Sequence, residues 1–152
     1  MKYKRLHQQE LEALKDEFIA FLASQGIQGE EWEKMKTNEN DKAISIIDIF
    51  SDLIWQKVLD KKKYAERLGS DNLELLYFDE QEAKAIILRS SEFDFKNEPL
   101  EKVIHALKEN RIEVFKGNKK YKKLREQELF DHIEKGAYLT EGQWYNALNK
   151  LL

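Results

Sequence analysis

Residues 44–59 are apolar around most of a helical circumference. Ile44, Ile46, Ile47, Ile49, Phe50, Leu53, Ile54 and Val58 spread over a wide arc, and only Ser45, Asp48, Asp52 and Gln56 form a narrow polar stripe. The spacing predicts a helix that starts at an Asn40–Asp41 cap and reaches at least Leu59. A helix this apolar has to be contacted from several sides, so it is expected to be the central element of the core. Asp48, Asp52 and Lys57 interrupt the stretch, so it does not read as a membrane span.

The segments around it follow from their periods. Leu11, Leu14, Phe18, Phe21 and Leu22 recur at helical spacing over 8–24, and Gly26 reads as the stop. A short helix over 30–35 opens with Glu30, Glu31 and Glu33, as the helix dipole prefers. The period then shortens. Residues 73–78 and 83–89 read as strands around the polar turn 79–82, with 111–116 as another after them, while 64–68 reads either as a preceding strand, the favoured reading, or as the last turns of the central helix capped by Gly69. Pro99, the only proline, opens a helix to residue 110. Two helices, over 124–135 and 141–152, close the chain. Thr140 and Gln143 have capping-box spacing for the last helix, and Leu139 and Trp144 stand at the staple positions. The expected fold is α+β: N-terminal helices and a C-terminal helix pair packed on a small, three- to four-stranded, mostly antiparallel sheet, as one domain over 1–152.

Composition narrows the chemistry. Hydrophobic residues make up 41% of the 152, enough for a core, and charged residues make up 36%, well above the roughly 25% usual in soluble proteins. With no cysteine there is no disulfide, thiolate nucleophile or cysteine metal site. The N-terminal residues carry no apolar signal segment. A cytoplasmic location, away from the membrane, is expected. No phosphate-cradling glycine motif, nucleophile elbow or paired-histidine metal motif occurs, so no cofactor and no catalytic residue is assigned.

Four features remain as candidates. Asp48 and Asp52, four apart on one helix face, offer carboxylates that could join a metal site, or else are the solvated edge of a buried helix. The run Lys116-Gly117-Asn118-Lys119-Lys120-Tyr121-Lys122-Lys123-Leu124-Arg125 has six basic residues in ten, on a chain whose net charge is −3. Lys61-Lys62-Lys63-Tyr64 and Lys2-Tyr3-Lys4-Arg5 repeat the pattern. Lysines beside a tyrosine can meet phosphates while the ring stacks on a base, so these segments suggest an RNA or other polyanion partner. The alternative is that they are solvated surface. Trp32 with Met35 is the best candidate for an interface anchor, set against simple packing. Among the histidines, His132 is the one candidate for catalysis, and it has no partner at motif spacing.

The sequence also resembles a family of short bacterial proteins of unknown function. The resemblance lies in Met1-Lys2-Tyr3 with Arg5-Leu6, and in Glu17-Phe18-Ile19 with Phe21-Leu22-Ala23 and Gly26-Ile27. It continues in Asp48-Ile49-Phe50-Ser51-Asp52-Leu53-Ile54-Trp55 with Lys63-Tyr64, and in Ile133-Glu134-Lys135-Gly136-Ala137 leading to Thr140, Gly142 and Tyr145. It implies a standalone bacterial cytosolic protein, carries over no reaction or ligand, and weakens in the middle of the chain and over 111–125. The leading expectation is a non-enzymatic protein-interaction module, a small adaptor or regulator. RNA or polyanion binding through 2–5, 61–63 and 116–125 is the alternative, and a metal-dependent enzyme using Asp48 and Asp52 is the third reading.

Overall fold

The computed structural model describes residues 1–152 as two compact units, Met1–Val58 and Leu59–Leu152. The chain is α+β, with seven helices and one five-stranded sheet. No helix is long and apolar enough to cross a membrane.

The first unit is helical. Helix α1 spans Gln8–Ala13, α2 Lys15–Ser24, α3 Gly29–Asn38 and α4 Asn40–Lys61, whose last turn enters the second unit. The single helix expected over 8–24 is divided at Leu14, where ψ rises to 26°. His7 caps α1, its ring accepting from the Glu10 N–H while Glu10 accepts from the His7 N–H. Gly26, at φ +76°, ends α2. The buried residues Leu22, Trp32, Met35 and Ala43 hold α2, α3 and α4 together. Phe18 adds an edge-on contact to Trp32 at 5.2 Å and a tilted one to Phe50 at 4.9 Å.

Helix α4 differs from its expectation in which face is covered. Ile49 and Leu53 are 55% and 54% exposed, while the polar stripe is overlaid by residues 2–6. Asp52 accepts the backbone N–H groups of Lys2 and Tyr3 at 2.7 and 2.8 Å, and buried Ser51 accepts that of Leu6 at 3.0 Å. The Trp55 indole donates to the Lys4 carbonyl at 3.1 Å. The extended N-terminal segment has no strand partner, so its backbone groups pair with side chains instead.

The second unit is built on the sheet. Its strands are β1 (Tyr64–Leu68), β2 (Asn72–Phe78), β3 (Glu82–Arg89), β4 (Glu113–Lys120) and β5 (Tyr138–Thr140), and its helices are α5 (Leu100–Lys108), α6 (Arg125–Glu134) and α7 (Gln143–Leu151). The order is β4-β3-β2-β1-β5, antiparallel throughout. At the β2–β3 turn the Asp79 carboxylate accepts from the N–H groups of Gln81 and Glu82, both at 2.7 Å. Of the two readings of residues 64–68, the strand is the one the structure has. Register places Leu73, Leu75, Ile86, Leu88 and Val114 on one face, where α5 and α7 cover them with Val103, Ala106, Tyr145 and Leu148.

Three expectations are corrected here. The sheet has a fifth strand, β5, too short to show a period of its own. The last two helices do not close one core: α7 lies on the Leu75 face, whereas His132 of α6 meets Phe78 and Arg67 on the other. Thr140 is not the cap of the last helix. It pairs with Tyr64 as the end of β5 and its hydroxyl accepts the Gly142 N–H, so that Gly142, at φ +81°, begins α7.

Candidate functional site

The first unit carries a groove of about 920 Å³ between the N-terminal segment, α1, α2 and α3. Residues on both sides of the break at Leu14 line it. Leu6, Leu11, Phe18, Ile19, Leu22 and Trp32 supply the apolar lining. Ile19 is 53% exposed at its lip. The charges at the margin are mostly paired within the protein: Arg5 with Asp48 through bonds of 2.6 and 3.0 Å, and Lys36 with Glu33 at 3.0 Å. The Arg5 guanidinium, hydrogen-bonded to the Asp48 carboxyl, holds it below the usual carboxylate range. A groove with an apolar lining and an internally neutral margin favours an apolar occupant.

Trp32 and Met35 are each 8% exposed and packed within this unit, in line with the packing reading set against an interface anchor. Trp32 still contributes one edge to the groove. Asp48 and Asp52 sit on the polar face of α4, both engaged with the N-terminal segment. No cluster of three or more acidic or histidine side chains is placed to hold a metal.

The basic segments divide by role. Residues 116–120 continue β4 as an edge strand, longer than the strand expected over 111–116, and expose Lys116, Lys119 and Lys120. Lysines on a sheet edge discourage pairing with another chain. Tyr121 is not free to stack on a base. Its ring lies parallel to Phe78 at 6.2 Å, its hydroxyl donates to the Asp79 carbonyl at 2.7 Å, and burial pushes it up to about 12. Arg125 donates to the carbonyls of Leu59 at 3.0 Å, Phe78 at 3.2 Å and Lys62. Lys123 pairs with Asp131 at 2.7 Å and Lys62 with Glu141 at 2.5 Å, while Lys61, Lys63 and Lys122 are exposed. The Lys2 ammonium donates to Gln56, and the Arg5 side chain is held by Asp48.

His132 is the most constrained titratable group. Its Nδ1 lies 2.9 Å from Arg67 Nη2, and Arg67 also grips Glu74 at 2.8 and 3.0 Å. Arginine has no acceptor, so Nδ1 carries no proton and the ring is neutral with its hydrogen on Nε2. Burial and the Arg67 charge hold its pKa below the usual histidine value.

Leu11, Phe18 and Leu22 share one apolar face at helical spacing, and nothing in the residue pattern marks that face as lining an open groove.

The sequence profile of a family of unknown function (DUF6495) matches residues 1–152, and the chain belongs to that family. No curated protein and no solved structure matches it.

Proposed function

We propose that this member of the family is a non-enzymatic interaction module of the bacterial cytoplasm, which takes an amphipathic helix of a partner protein into the groove of its helical unit. The observation that carries the reading is the groove itself: an apolar lining in which Ile19 is exposed and Leu11 and Phe18 are only partly buried, over a floor of Leu6, Leu22 and Trp32, beside a margin whose charges are mostly paired within the protein. Helix-in-groove recognition needs an apolar floor for residues at i, i+3, i+4 and i+7, and it is weakened when a charge is set into that floor.

Two variants test it. Ile19→Glu places a carboxylate at the lip, and Ile49→Glu does the same at an exposed site on α4 away from the groove lining. Crosslinked capture from native lysate should recover a helical partner with the native chain and with Ile49→Glu, and lose it with Ile19→Glu. Recovery of nothing above background, or the same proteins with all three chains, overturns the proposal. The polyanion reading of 2–5, 61–63 and 116–125 has less support, because Tyr121 and Arg125 serve packing and Arg5 and Lys123 are ion-paired. The metal reading has less still, since both carboxylates of Asp48 and Asp52 already have partners.

A further inference from the structure

The sheet of the second unit carries a separate concavity of about 500 Å³ on the face shared with α7. Tyr64 and Tyr77 are directly opposed on β1 and β2 with rings 4.9 Å apart, and Tyr145 of α7 closes on them at 5.9 and 5.5 Å. The Tyr64 ring rests on the start of α7 so closely that a Cβ on Gly142 would come within 2.6 Å of it. The aromatic wall is therefore fixed in position. No protein hydrogen bond involves the Tyr77 or Tyr145 hydroxyl, and no buried side-chain polar atom lacks a partner, so neither hydroxyl is sealed from solvent, although Tyr145 as a whole is buried and Tyr77 partly so.

Two cationic side chains line the same concavity. Register places Lys84 and Lys116 on the same face of neighbouring strands. The Lys84 ammonium lies 5.9 Å from the Tyr77 ring centroid and 3.6 Å from Asp79, and that of Lys116 lies 3.4 Å from the Asn149 side-chain oxygen. Each ammonium has three donors and keeps some of them unused. Asn118, Asn146 and Asn149 add amides that can both donate and accept, and no carboxylate lines the space. Aromatic faces, paired ammonium groups and amides within one cavity of ligand size match a phosphate joined to a flat heteroaromatic ring. We infer that this concavity binds a nucleoside monophosphate unit, its phosphate on Lys84 and Lys116 and its base on the Tyr77 side of the aromatic wall, which Tyr145 backs from the core. The site is independent of the groove in the first unit.

Calorimetric titration of the whole chain with adenosine monophosphate, inorganic phosphate and a short single-stranded oligoribonucleotide tests this. The monophosphate should bind saturably, about tenfold or more tighter than inorganic phosphate, because stacking adds to the ionic contacts. Its affinity should fall with added salt. Lys84→Gln with Lys116→Gln should weaken it about tenfold and flatten the salt dependence, with an unchanged melting temperature. Tyr77→Phe should keep the affinity. Tighter binding of the oligonucleotide, lost in the same lysine variant, would identify the source as a strand in place of a free nucleotide. Equal affinity for the monophosphate and inorganic phosphate overturns the inference. So does nucleotide or oligonucleotide binding that the folded lysine variant leaves unchanged.

Discussion

Gly142 is glycine for two reasons that act together. Its φ of +81° lies in the left-handed region, and a side chain there would meet the Tyr64 ring at 2.6 Å. Gly142→Ala should destabilise the protein by about 2–3 kcal/mol, whereas Gly117→Ala, with open space around its Cβ position, should be close to neutral. Thermal melting of the two variants checks this. Glu66 makes a second residue-scale case. It is 8% exposed on β1, near the Tyr138 hydroxyl at 3.2 Å, and burial raises its pKa above the usual carboxyl range. Its protonated form suits the fold, so its contribution is full below the unfolded value of about 4.3 and is lost as pH rises through the higher folded value. Glu66→Gln should therefore gain stability relative to the native chain between pH 4 and pH 7, measured as the difference in melting temperature at the two ends.

At the scale of elements, α6 is tied to the sheet by polar groups as well as by Leu129 and Phe130. Arg125 satisfies three carbonyls at its start, and His132 accepts from Arg67 near its end. Arg125→Met should cost about 2–4 kcal/mol in urea denaturation, and Arg125→Lys should recover little of it, since a single ammonium cannot span the same carbonyls. The His132 pKa is depressed, so its neutral form contributes stability above the ordinary histidine value, and that contribution is lost as pH falls through the lower folded value. Urea midpoints at pH 7.5 and pH 5 should differ more for the native chain than for His132→Asn, allowing for the opposing pull of Glu74 and Glu128. Most elements were legible because their residues alternate or recur strongly, as in α4, β2 and β3. The failures share a cause: Thr140 has the right spacing for a cap, but the β1 ladder claims its backbone first, and β5 has only three residues in which to show a pattern.

Over the whole molecule, each candidate site draws its lining from one unit, the groove from Met1–Val58 and the tyrosine concavity from Leu59–Leu152. Ile19→Glu should therefore leave the affinity for adenosine monophosphate unchanged, and the lysine pair variant should leave partner capture unchanged, when both assays are run on both proteins. The amino-acid sequence by itself determined the fold class, most of the helices and strands, the absence of cysteine chemistry and the family resemblance, because these rest on local period and composition. The tertiary structure decided what the polar and aromatic residues do. Asp48 and Asp52 receive the N-terminal segment, Tyr121 and Arg125 turn inward, and Tyr64, Tyr77 and Tyr145 meet across two strands and a helix. Those outcomes depend on pairings between residues dozens of positions apart, and backbone groups that must find partners select them in ways that no local spacing records.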